Sequence, residues 1–185
     1  MNLLITGLVL WWLAHLFKRL FPAARVRLGA GGKGLVALVL LLSVVLMVLG
    51  YRTAPFEPVY QPLPGMGHAN NLLMLFALFL FGAGHVKGRI AGMVRHPMLW
   101  GMVLWAVAHL LVNGDLASLV LFGGLGLWAL VTMIVINRAE GFWRRPAPGP
   151  WKKDLAAFAI ALILYGGIAA IHVWLGYNPF QGDYG

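Results

Sequence analysis

Apolar residues gather along the chain into long runs separated by short polar or basic stretches. The runs are roughly Asn2 to Phe17, Leu35 to Gly50, Asn71 to Gly84, Met98 to Val112, Leu116 to Ile136 and Leu155 to Leu175. They predict six transmembrane helices. Several are shorter than the ~20 residues needed to cross about 30 Å of hydrocarbon, so their ends must extend into flanking Gly, Tyr and Trp residues or the bilayer must thin. The pattern predicts an all-α fold, a bundle of about six short transmembrane helices forming a single domain over residues 1–185.

The connections carry their own signals. Tyr51 to His68 contains Pro55, Pro58, Pro62 and Pro64, which predicts an irregular, partly extended cap over the bundle. Asn113-Gly114-Asp115 reads as a tight turn between the fourth and fifth spans. Gly82 with Gly84, Gly123, Gly124 and Gly126, and Gly166 with Gly167, supply small surfaces for close helix approach.

Composition supports the membrane reading. Of 185 residues, 61% are hydrophobic and 10% charged, against roughly 25% charged in a soluble domain. The bilayer therefore takes the place of a conventional solvent. The absence of cysteine excludes disulfides, thiolate catalysis, iron–sulfur clusters and Cys-bound zinc, which leaves metal chemistry to histidine.

A net charge of +9 could suggest nucleic acid, but the basic residues lie between the apolar runs and form no nucleic-acid motif. Topology accounts for them. Lys18, Arg19, Arg25, Arg27 and Lys33 occupy the first connection, Lys87, Arg89 and Arg95 the third, and Arg138, Arg144, Arg145, Lys152 and Lys153 the fifth. Arg52 alone falls opposite, with Glu57, Asp115 and Asp183. The positive-inside rule then predicts basic loops in the cytoplasm and both termini on the other side. The first run has no basic residue before it and no small-residue cleavage site after it, so it is expected to stay in place.

An ionisable side chain within a span is a functional candidate by default, and two of the six histidines share a local pattern. His15 lies in Leu10-Trp11-Trp12-Leu13-Ala14-His15-Leu16 and His109 in Leu104-Trp105-Ala106-Val107-Ala108-His109-Leu110, both L-W-x-x-A-H-L. Trp11 and Trp105 each precede the histidine by four residues and so share its helix face. Two readings stay open. Each pair could wall a large planar ligand, with Gly101 leaving room on the Gly101, Trp105, His109, Asn113 stripe. Alternatively, each histidine bonds a neighbouring helix and each tryptophan belongs to an interfacial belt. A divalent metal held by His68, His109, His172 and Asp115 has no close ligand spacing in its favour.

Arg95-His96-Pro97-Met98-Leu99-Trp100-Gly101, continuing through Leu104-Trp105 to His109-Leu110 and Asn113-Gly114-Asp115, resembles the NnrU family of bacterial membrane proteins. His15 with Arg25 to Leu28, Gly50-Tyr51-Arg52 and Leu121-Phe122-Gly123-Gly124 extend the resemblance over most of the chain. It implies a bacterial inner-membrane protein linked to denitrification and nitric oxide. A plant zeta-carotene isomerase that is similar to this family ligates haem b through histidines. Carried over by motif, that resemblance implies haem b on His15 and His109, lined by Trp11 and Trp105, with Arg95, Arg25 or Arg52 as partners for the propionates. Ala106 stands where the isomerase has a cysteine near its second histidine, so the isomerisation does not transfer with the haem.

Depth bears on the ligand pair. His15 lies about thirteen residues from the outer end of its run and His109 about four, a difference of ~13 Å at 1.5 Å per residue. His85 is nearer in depth to His15 and is the substitute ligand. The bilayer and the haem are the expected partners, and nucleic acid is not. No catalytic residue is assigned.

Arg95-His96-Pro97 also resembles the isoprenylcysteine and phospholipid methyltransferases, where such an element lies near S-adenosylmethionine. Asn137-Arg138-Ala139-Glu140 stands where that family places an acidic residue. A plainer reading has Pro97 start a helix while Arg95 and His96 anchor at the interface. A small transporter is a third class, since the two L-W-x-x-A-H-L segments run in opposite directions across the membrane.

Overall fold

In a computed structural model, which describes residues 1–29 and 31–180, the chain is helical through its apolar runs except at the ends of the fourth, Leu111 and Val112, and the sixth, Leu175. The helices are α1 (Asn2–Leu20), α2 (Pro22–Arg27), α3 (Gly31–Arg52), α4 (Met66–Val86), α5 (Arg89–Met93), α6 (Pro97–Leu110), α7 (Leu116–Glu140) and α8 (Trp151–Trp174). Five of them, α1, α3, α4, α7 and α8, are long and apolar enough to cross a membrane. α6, at 14 residues, reaches only about 21 Å at 1.5 Å per residue. Pro97 starts α6, where its missing N–H costs no hydrogen bond. The six apolar runs thus become six apolar helices, with α2 and α5 as short basic turns between them.

Packing places the long helices in the spatial order α3, α1, α7, α6, α4, α8. α1 lies close along α3, and α4 lies close along α6, whereas α1 meets α7 along a sparser seam. Leu4, Leu8, Met47, Ala117 and Leu125 form a buried cluster against which Trp11, Tyr51, Met102 and Trp105 pack. Large apolar side chains face outward elsewhere, Ile163 at 74% and Leu38 at 65% exposure among them. An exposed apolar girdle of this kind suits lipid rather than water.

The two ends differ in chemistry. At one end the proline-rich cap is tied to the Asn113-Gly114-Asp115 turn: Val59 N–H donates to Gly114 O at 2.8 Å, and Leu116 N–H to Glu57 O at 2.8 Å. Tyr60 Oη donates to Asn113 O at 2.8 Å and to Leu110 O. Asn71 Nδ2 reaches Pro179 O at 2.8 Å, which brings the end of the described chain to the same place. At the opposite, basic end, Glu140 joins Arg19 at 3.3 Å and Arg95 at 3.6 Å. There Asp154 of α8 accepts from Arg89 N–H at 2.7 Å and caps α5. Asp183, counted above with the outer charges, lies outside the described residues.

The glycines divide. Gly82, Gly84, Gly124 and Gly126 meet side chains of neighbouring helices, while Gly123, Gly166 and Gly167 meet nothing among the described residues.

Candidate functional site

A histidine on a helix can turn its ring back so that Nδ1 meets the carbonyl one turn earlier. His15 does so with Trp11 O at 3.0 Å and His109 with Trp105 O at 2.9 Å. A carbonyl only accepts, so Nδ1 carries the proton, and in the uncharged ring Nε2 keeps its lone pair. Neither Nε2 has a hydrogen-bond partner among the described residues. A second nitrogen fixed in this way is how histidines are commonly set to ligate a metal.

Aromatic residues enclose both rings. His15 lies 4.2 Å from Trp11 and 4.6 Å from Trp128, centroid to centroid, and the two indoles stand edge to face at 5.3 Å. His109 stacks on Phe122 at 4.4 Å with 20° between planes, and Trp105 closes the group at 4.9 Å from His109 and 5.0 Å from Phe122. Trp128 and Phe122 both belong to α7, which therefore lies between the two histidine helices. Trp12, the other tryptophan of the first pattern, donates Nε1–H to Gly124 O of α7 at 3.2 Å.

α7 is not a uniform α-helix. Asp115 caps its start by accepting from Ser118 N–H at 2.9 Å, and Ser118 Oγ lies 2.8 Å from Tyr51 Oη. The next residues, Leu119–Gly123, form a π turn, a local widening that often accompanies functional sites. It carries Phe122 against His109.

Among the described residues four buried side-chain polar atoms make no hydrogen bond: Trp11 Nε1 on α1, Trp128 Nε1 and Thr132 Oγ1 on α7, and Asn70 Oδ1 on α4. Thr132 stands one helical turn beyond Trp128 on the same face of α7. Buried donors are nearly always satisfied in native proteins, so the three on α1 and α7 are the unexplained polar groups beside His15.

The remaining candidates fall elsewhere. Gly101 gives no room to a ligand: a Cβ there would lie 2.9 Å from Ala77 O, so its small size lets α6 pack on α4. Arg95 sits at the basic end, donating to Gly141 O at 3.0 Å beside Glu140. His85 bonds Phe81 O at 2.9 Å on α4, which α6 and α7 separate from α1, so it does not stand opposite His15. His172 bonds Ile168 O at 2.8 Å in the same backward manner. Among the described residues no three of His, Asp or Glu gather into a metal site, which removes the His68, His109, His172 and Asp115 tetrad.

The depth difference also takes a physical form. His15 meets α7 at Trp128 and His109 meets it at Phe122, six residues apart or about 9 Å along the axis. Trp128 and Thr132 escaped the sequence reading and Phe122 entered it only within the Leu121-Phe122-Gly123-Gly124 resemblance, although a tryptophan followed four residues later by a threonine inside an apolar run was a visible signal.

No curated protein and no solved structure matches the chain. Over residues 3–179 the sequence matches the family profile described as NnrU protein, and the chain belongs to that family.

Proposed function

We propose that this NnrU protein binds haem b inside the bacterial inner membrane and serves a redox role linked to nitric oxide or denitrification. The observation that carries the reading is the group around His15: an imidazole with an unpartnered Nε2, packed against two indoles, with buried donors that no described residue satisfies. An apolar macrocycle with a metal at its centre and acceptors at its edge suits such surroundings. Bound there, haem supplies one-electron chemistry at its iron.

In this reading His15 holds the iron through Nε2, Trp11 and Trp128 wall the ring, and Arg95 with Arg19 sets the charge at the basic end. His109, lined by Trp105, would be the second ligand, and not only Phe122 on its ring but the turn of α7 that carries it, which stands between the two histidine helices, must yield. Positive-inside topology puts the basic end in the cytoplasm. The test is the absorption spectrum of the detergent-purified protein, oxidised and reduced, after expression with ample haem. A haem spectrum that is lost in His15→Ala and altered in His109→Ala supports the reading. Purified protein without haem overturns it.

A second reading has its own observation. The structure brings the two methyltransferase-like segments together, with His96 Nε2 at 2.9 Å from Asn137 Oδ1 and Arg95 at 3.6 Å from Glu140. A cleft of about 240 Å³ beside them is lined by Gly84, Arg95, His96, Pro97, Met98 and Leu99. S-adenosylmethionine binding that disappears in His96→Ala would favour this reading over haem.

A further inference from the structure

Trp11, Trp128 and Thr132 have no assigned role beyond forming walls. Their three polar atoms are buried without partners among the described residues. The two indoles meet edge to face at 5.3 Å across α1 and α7, and Thr132 stands one turn beyond Trp128. Trp128 and Thr132 are only 6% and 9% exposed. In hydrocarbon each orphaned donor is costly. Two of the three are indole N–H groups, which donate and never accept. The cluster therefore calls for a group rich in acceptors and poor in donors.

A single water answers poorly. It accepts about two hydrogen bonds, one fewer than the three donors, and once the iron takes Nε2 of His15 no acceptor there remains for both of its own protons. A carboxylate offers roughly four acceptor sites and no donor. Its charge is also placed: Arg19 lies one turn beyond His15 on α1 and shares Glu140 with Arg95, so two guanidiniums face one carboxylate at the adjoining end.

Resting on the haem reading, we infer that Trp11, Trp128 and Thr132 form a carboxylate subsite that anchors a propionate of the porphyrin. The subsite fixes which edge of the ring faces the basic end, a role separate from ligation of the iron.

The experiment compares haem with its dimethyl ester, whose propionates can no longer be anionic, by titration into haem-depleted full-length protein in detergent. Metal-free protoporphyrin and its diester serve as a second pair that takes iron ligation out of the comparison. The wild type is expected to bind each free acid about tenfold or more tighter than its diester, the weight of hydrogen bonds to a charged group. Thr132→Val, which keeps shape and removes one donor, should narrow that gap by weakening the free acid alone, and Trp128→Phe, which removes a donor and part of the wall, should weaken both and the free acid more. His15→Ala should weaken haem and its diester together and leave the gap in the metal-free pair. Equal affinity for acid and ester in the wild type, or a gap unchanged in both donor variants, overturns the subsite while the haem reading stands. Failure of every porphyrin to bind overturns both.

Discussion

Four histidines, His15, His85, His109 and His172, turn Nδ1 to the carbonyl four residues earlier. The bond is a local one, so it cannot by itself distinguish a ligand from a bystander. What separates His15 and His109 is the aromatic enclosure supplied by α7. Another residue-scale consequence lies at the cap, outside the spans. Burial pushes the Tyr60 phenol above its ordinary value, and the Asp115 carboxylate adds to the effect. The neutral form is the one that donates to Asn113 O. Because the folded value is raised, this contribution is whole below the ordinary tyrosine value of about 10 and is lost as pH rises through the higher folded one. The difference between tyrosinate absorbance titrations of wild type and Tyr60→Phe should therefore be centred above that ordinary value. A difference centred at or below it would contradict the placement of Tyr60.

At the scale of elements, the α1–α3 pair and the start of α7 carry predictions about stability. A Cβ on Gly50 would sit 2.2 Å from Leu4 N, a backbone atom that cannot turn away. Gly50→Ala should force α1 from α3 and destabilise by about 1–3 kcal/mol, the range for overpacking, seen as a lower thermal midpoint in detergent. An unchanged midpoint would mean that the helices do not approach so closely. Asp115→Ala removes the cap on Ser118 N–H and should cost about 1 kcal/mol. Asp115→Asn should recover much of that loss, because an amide oxygen can still accept. Helix positions were readable from the apolar runs because lipid imposes near-continuous apolarity on each span. The π turn was not readable, since nothing in Leu119–Gly123 distinguishes a wider turn from an ordinary one. Gly101 was misread for a related reason. Spacing placed it on the His109 stripe, but only packing reveals that α4 occupies its open side.

For the whole molecule, helix order decides which histidines can act together. His85 resembles His15 in depth along the sequence, yet α6 and α7 stand between their helices. Neighbour relations of this kind depend on non-local packing that no single run encodes, whereas the two ends of the bundle follow directly from charge. Since the chain has no cysteine, its orientation can be measured with single introduced thiols. Glu57→Cys should react with an impermeant reagent from outside the cell, and Lys152→Cys only from the cytoplasmic side. The reverse pattern would invert the topology. Haem binding is read out by the haem content of the purified protein, measured per chain in wild type, His15→Ala and His109→Ala. Haem is expected in the wild type, with near-complete loss without His15 and a reduced or spectrally altered complement without His109. A wild type devoid of haem, or equal haem in all three proteins, would contradict it.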